Sequence, residues 1–341
     1  MQLVTITNRP DVLAESWAHL RHFMPWADHT VVVAPASVAG SVDRSGDVVV
    51  ITDEELVGAS AGGLAALDHM SRNFTLRGAL AHHPAVDDEF LMADDDHRPL
   101  KPVSESFFRD GDRHRCFYFY DLAEWTGTST PFDEGQHHAA ELLGYLGYEH
   151  LAFGSHMPQL IRKQLVAEVW ARAAELTDRR DLCEWSLYAN VGRALHPDLF
   201  CDPQPFTTLC WPQYPGEWPW WVRPSEYVFE NHHPDLYLPG HLFDGLPSGL
   251  DPERVERDNV EKIFRWSALG RRVAHLDVPS DIANPWTKGS PTRRAAFGML
   301  RRARQAYDYV SMEDRARMTE LSGAVARLQD ELRRRRLDDE R

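Results

Sequence analysis

Three consecutive aspartates, Asp94, Asp95 and Asp96, directly follow the apolar run Phe90-Leu91-Met92-Ala93. Carboxylates are hard oxygen donors suited to Mg²⁺ or Mn²⁺, ions that usually hold substrate phosphates rather than sit in an all-protein cage. In an extended segment Asp94 and Asp96 face one way and Asp95 the other. An ion held there would offset the charge of a diphosphate and favour departure of a nucleotide leaving group. A solvated acidic turn is the competing reading of such a triplet. The apolar strand before it and the polar groups after it favour the chemical one.

Several other residues could serve the same chemistry. His156 lies in Phe153-Gly154-Ser155-His156-Met157-Pro158; a neutral imidazole there could bind metal, touch a phosphate or hold an acceptor hydroxyl, or simply pack or cap a helix. Asp181 and Glu184 are three residues apart, neighbouring positions if one helix carries both. Either carboxylate could take the proton of an attacking hydroxyl if it lay within hydrogen-bond reach; Asp181 is equally a helix cap. In Asn231-His232-His233-Pro234-Asp235 the adjacent histidines point differently, so the pair does not by itself make one metal site. Trp211, Trp218, Trp220 and Trp221 could form a sugar platform or pack around a proline-rich excursion.

The elements that must position these groups are readable in outline. Residues 3–7, 30–34, 47–52 and 89–93 are β-branched or apolar runs of the kind buried on both faces of a parallel sheet. Asp11 opens a helix toward Phe23, and 59–77 is broadly helical, although Gly58-Ala59-Ser60-Ala61-Gly62-Gly63 could also approach a phosphate. Residues 115–120 read as a strand, 136–146 as a helix, and 184–190 as a short helix. Ile161, Leu165, Val169 and Ala173 recur every four residues, which predicts a helix over 157–176. Residues 201–250 are dense in Pro, Trp, Tyr and Gly around local strands such as 226–229. Beyond 251 the chain is charged and helical; Met318, Leu321, Val325, Leu328 and Leu332 form a seam, followed by Arg333-Arg334-Arg335-Arg336. The expected class is α/β with a mostly parallel central sheet and a helical C-terminal extension. The divisions are 1–250, with a donor-binding N-terminal part and an acceptor side from about 126, and 251–341.

Composition narrows the function. Acidic residues outnumber basic ones 52 to 37, a formal charge of -15 that disfavours general nucleic-acid binding. The four cysteines are scattered without a C-x₂-C pair, so reduced thiols and a cytoplasmic location are the expectation. There is no signal-peptide pattern at the start and no run of about 18 apolar residues, hence no transmembrane segment. Peripheral contact with the inner face of a membrane stays open, as does self-association through the C-terminal helices. Neither G-x-G-x-x-G nor G-x-x-x-x-G-K-[ST] occurs, which disfavours a dinucleotide dehydrogenase or a phosphate-loop enzyme.

As an ordered set, Thr5-Ile6-Thr7-Asn8-Arg9, the strand and triplet 90–96, Gly154-Ser155-His156-Met157-Pro158 and Glu184-Trp185-Ser186-Leu187-Tyr188-Ala189-Asn190 resemble the GT-A-fold glycosyltransferases. The last two segments are similar to those of bacterial polysaccharide-associated transferases. The resemblance spans roughly residues 1–240. It implies a nucleotide-sugar donor, a saccharide or other hydroxyl-bearing acceptor, and Mn²⁺ or Mg²⁺. Carried over, Thr7, Asn8, Arg9 and the triplet would hold the donor. Asp96 would bind metal with Asp94 beside it, Asp95 would shape the turn, and His232 or His233 would complete the metal shell. Glu184, which opens its segment, is the preferred base of an inverting transfer, with Asp181 and His156 as further catalytic candidates. A sugar-phosphate transferase is the runner-up, although that group's tryptophan-containing opening motif is absent. A metal-dependent hydrolase and a non-catalytic carbohydrate-binding or scaffold protein rank below both.

Overall fold

The computed structural model describes residues 1–58, 63, 64, 66–122, 125, 130–209 and 226–275. The four tryptophans at 211–221, the seam at 318–332, the arginine run, and most of the glycine cluster after Gly58 lie outside these residues.

Strand β1 (Gln2–Ile6) leads into helix α1 (Pro10–Phe23), where Pro10 takes the first helical position and its missing N–H leaves no bond unmade. β2 (His29–Ala34) follows, then the single turn α2 (Ala36–Ala39) and β3 (Asp47–Thr52). Thr52 and Glu55 close a capping box at the start of α3 (Asp53–Val57), and Asp68 caps α4 (His69–Leu80) by accepting the Ser71 N–H at 3.0 Å. β4 (Glu89–Asp94) is central. The short strands β5 (His97–Pro99), β6 (Arg109–Asp110), β7 (Arg113–His114) and β8 (Phe117–Tyr118) precede α5 (Pro131–Leu146). β9 (Gln159–Arg162) runs straight into α6 (Lys163–Ala174), and α7 (Glu184–Leu195) follows. β10 (Gln204–Pro205), β11 (Thr208–Leu209), β12 (Phe229–Asn231) and α8 (Val255–His275) complete the described fold.

The main sheet has the order β3-β2-β1-β4-β9, parallel except for the antiparallel edge β9. This is the α/β class with a mostly parallel central sheet that the apolar runs imply. β1 is buried throughout, as are the central residues of β2 and β4, because helices cover both faces of such a sheet. β3, expected to be buried in the same way, is the edge strand and leaves Asp47 and Val49 exposed. A second, three-stranded sheet, β11-β12-β5, carries α8. Lys262 of α8 donates to Glu230 of β12 at 2.9 Å, and Asn259 donates to the Leu100 carbonyl at 2.8 Å. Trp266 closes a small apolar cluster with Leu100, Leu209 and Phe243.

Several boundaries differ from the sequence reading. The helix expected over 157–176 begins at Lys163, because Leu160 and Ile161 pair with Leu91 and Phe90 across β9 and β4. Leu165, Val169 and Ala173 form its buried face, so the period holds for the helix but runs one turn too far back. The helix expected from 59 starts at its Asp68 cap and reaches Leu80. The strand at 115–120 contracts to Phe117–Tyr118, and the one at 226–229 shifts to Phe229–Asn231. No described helix is long and apolar enough to cross a membrane.

Candidate active site

Register brings the first polar groups together. Ile6 pairs with Asp94, so the residues just past the ends of β1 and β4 emerge side by side. Ligands of open α/β sheets bind beyond these carboxyl ends. Thr7 donates its hydroxyl to Asp95 Oδ2 at 2.7 Å. Arg9 donates Nε to the same oxygen at 3.2 Å, Nη2 to Asp95 Oδ1, and Nη2 again to Asp96 Oδ2 at 2.9 Å. Burial raises the Asp95 pKa, and Arg9 and Thr7 work against that rise.

The triplet is not extended. β4 ends at Asp94, and the chain turns through Asp95 and Asp96 before β5. The strand alternation expected for Asp94 and Asp96 therefore does not apply. Asp95, expected mainly to shape the turn within the donor-binding set, is buried at 4% exposure and ties β1 to the turn after β4.

Asp94 is held from two sides. Arg77, on α4, donates Nη2 to its Oδ1 at 2.6 Å. His97 Nδ1 accepts the Asp94 backbone N–H at 3.2 Å, while His97 Nε2 stands 3.3 Å from Asp94 Oδ2 without hydrogen-bond geometry. Burial opposes ionisation of Asp94, yet Arg77, His97 and His156 outweigh it and hold the carboxyl well below the usual carboxylate range.

The antiparallel edge delivers His156. Gln159 pairs with Met92, so the residues before Gln159 pass over the end of β4. Gln159 Nε2 donates to the Phe153 carbonyl at 2.9 Å and to Ser155 Oγ at 3.2 Å, and the Thr208 hydroxyl donates to the Ser155 carbonyl at 2.9 Å. The loop so fixed carries His156 at a φ of 50°, the left-handed region that side chains disfavour. One ligand atom from each of Asp94, His97 and His156 lies within 4.8 Å of the others. Burial pushes His156 down to about 4, with Asp96 pulling the other way.

Glu184 begins α7 and is 4% exposed. Its Oε1 lies 3.0 Å from Arg77 Nε, and the Arg77 guanidinium stacks on Trp185 at 4.0 Å. Burial raises the Glu184 pKa, and Arg77 counters it. A cleft of about 430 Å³ is lined by Thr7, Asn8, Arg9, the triplet, Arg77, His156 and Glu184.

The other candidates sit elsewhere. Asp181 precedes α7 and pairs with His138 Nδ1 at 3.0 Å and with Arg179, outside the cleft lining. His232 Nε2 lies 3.3 Å from Glu15 Oε2, and its ring faces Tyr237. His233 is half-buried near Asp96, whose charge acts on it, and burial lowers its pKa. Its Nε2 and Asp96 Oδ1 are buried without a hydrogen bond among the described residues. Arg77 and His97 escaped the sequence reading. For His97, the Asp-x-x-His spacing from Asp94 was an available signal.

No family model matches the chain, and no curated protein matches it. Among solved structures it is similar to mouse xyloside xylosyltransferase 1, with 12% identity, a TM-score of 0.40, and coverage of 70% of this chain and 99% of that one. It is also similar to an active-site mutant of LgtC, at 13% identity and a TM-score of 0.38, and to the galactosyltransferase LgtC with donor and acceptor sugar analogues, at 13% and 0.36. Each LgtC match covers 76% of this chain and 95% of the other. The likeness is loose at these values.

Proposed function

We propose that this chain is a metal-dependent glycosyltransferase of GT-A type. In this reading it moves a sugar from a nucleotide-sugar donor to a hydroxyl of a saccharide or small-molecule acceptor, with inversion. The observation that supports it best is one cleft that opens at the sheet's carboxyl end and presents both the acidic triplet and the buried Glu184 carboxylate.

The donor set suits a divalent cation. Asp94, His97 and His156 converge, and Asp96 Oδ1 and His233 Nε2 are buried polar atoms with no hydrogen bond among the described residues. Asp94 with His97 and His156 would hold the ion, with Asp96 and His233 adjoining. When bound, it would offset diphosphate charge. Thr7, Asn8 and Arg9 line the donor side of the cleft, where Arg9 is 46% exposed on its side chain and can meet an anion. Glu184 takes the proton of the acceptor hydroxyl as that oxygen bonds to the anomeric carbon. The bond from that carbon to the diphosphate breaks, and the nucleotide diphosphate leaves with the electron pair. Such a base has to be ionised, and the Arg77 contact favours that form against the effect of burial.

The test is a panel of UDP-, GDP-, CMP- and dTDP-sugars with Mn²⁺ or Mg²⁺, read by thermal shift and nucleotide release. Acceptor-dependent release of a nucleoside diphosphate from a diphosphate donor supports the reading. Nucleoside monophosphate release from such a donor would favour sugar-phosphate transfer, and acceptor-independent release a hydrolase. Donor binding that chelation leaves unchanged would point to a non-catalytic binder.

A further inference from the structure

Arg77 occupies an unusual place in the cleft. Its side chain is 7% exposed, and it spans two carboxylates that come from distant parts of the sequence. Nη2 reaches Asp94 Oδ1 at 2.6 Å and Nε lies 3.0 Å from Glu184 Oε1. The Trp185 ring at 4.0 Å closes off the guanidinium face. Oδ1 of Asp94 is therefore committed to Arg77, and Oδ2 is the oxygen turned toward His97.

A cation on Oδ2 would place a second positive charge on a carboxylate already shared with a guanidinium. Repulsion between such close charges is large in a partly buried cleft, where water screens poorly. Glu184 is the group that relieves it, because its negative charge lies against Nε of the same guanidinium. Asp94, Arg77 and Glu184 together carry a net charge of about minus one, which is what leaves the site attractive to a cation.

We propose that Arg77 is a positioning residue that couples cation binding at Asp94 to the acceptor-side carboxylate of Glu184, so that Glu184 sets cation affinity without being a ligand. The inference rests on the reading of Asp94 as a cation ligand. By linkage, the coupling works in both directions: a cation at Asp94 drives the guanidinium toward Glu184 and holds that carboxylate in place.

Mn²⁺ binding to the whole protein, with neither donor nor acceptor, tests this by electron paramagnetic resonance and calorimetry. Glu184→Gln leaves Asp94 alone to offset both Arg77 and the ion, and is expected to weaken Mn²⁺ binding roughly tenfold. Arg77→Gln removes the competing charge and is expected to bind Mn²⁺ at least as tightly as the parent. The double variant Arg77→Gln/Glu184→Gln is expected to recover most of the affinity that Glu184→Gln loses. A residue acting only as a structural brace would give losses in both single variants that accumulate in the double. Arg77→Lys, which keeps the charge, serves if Arg77→Gln does not fold, and should leave the Glu184→Gln loss in place. Unchanged Mn²⁺ affinity in Glu184→Gln, or additive losses, would overturn the coupling alone. Parental Mn²⁺ binding that Asp94→Asn leaves untouched would instead remove Asp94 as a ligand, and no Mn²⁺ binding by the parent would remove both.

Discussion

The Thr7 hydroxyl donates to Asp95 Oδ2 at 2.7 Å across 88 residues of sequence, with both residues buried. This bond locks the end of β1 to the turn that follows β4, so the donor side of the cleft and the triplet move as one body. Thr7→Val keeps the shape and removes the donor. It is expected to lose about 1–3 kcal/mol of stability, the range for a buried acceptor deprived of a partner. Urea unfolding would show it, and an unchanged midpoint would mean that Arg9 alone satisfies Asp95.

Glu184→Gln should separate binding from transfer. At saturating Mn²⁺ the donor should still bind, while transfer to acceptor falls by roughly 10²-fold or more, the usual contribution of a general base. Steady-state rates with acceptor varied at fixed donor measure this. Equal transfer by variant and parent would remove Glu184 as the base.

Gly78 follows Arg77 on α4, and a Cβ there would stand 2.4 Å from Trp170 Cδ1 and Nε1. Trp170 cannot retreat easily, since its Nε1 donates to the Phe74 carbonyl at 3.0 Å and its ring stacks on Phe74. Gly78→Ala should gain up to about 1 kcal/mol of helix propensity but lose about 1–3 kcal/mol to overpacking. Overpacking wins, and the melting temperature falls. Stabilisation instead would show that the α4–α6 contact yields.

Acid should destabilise the fold in part through the small sheet. Burial alone would raise the Glu230 carboxyl, but Lys262 and Arg98 hold it down to about 2 against an ordinary 4.5. The unfolded chain then binds this proton more readily, so the contribution is full above 4.5 and is lost as pH falls toward 2. Its size is on the order of 3 kcal/mol. Urea midpoints across that window should drop steeply for the parent and less steeply for Glu230→Gln. That variant starts from a lower stability, because Lys262 is left buried without its partner. Parallel slopes would contradict the assignment.

Much of the frame was legible because β1, β2 and β4 are largely apolar runs of the kind a sheet covered on both faces requires. β3 reads the same way in sequence but is an edge strand that leaves Asp47 and Val49 exposed. Glu184 was legible as the opening of a helix, and it does stand in the cleft. Arg77 was not: an arginine on a helix with a mixed surface is indistinguishable from a solvated one until tertiary packing brings Asp94 and Glu184 to it. The edge strand β9 was hidden by its length. Four residues cannot outweigh the strong helical period that begins directly after them, and only pairing with β4 defines the strand. The inward role of Asp95 was hidden too, because a turn residue in sequence gives no sign that its side chain will point inward.

The φ of 50° at His156 has a consequence for how this chain can change. It is the one described residue other than glycine with positive φ. A glycine there would relax the backbone, against the loss of the ring's packing on His97 and the greater freedom of the unfolded chain. The backbone term alone would favour glycine at position 156. An imidazole in that conformation marks a place where tolerance to heat and the ability to gather ligand atoms are set against each other, and gains in one should be sought with the other in view.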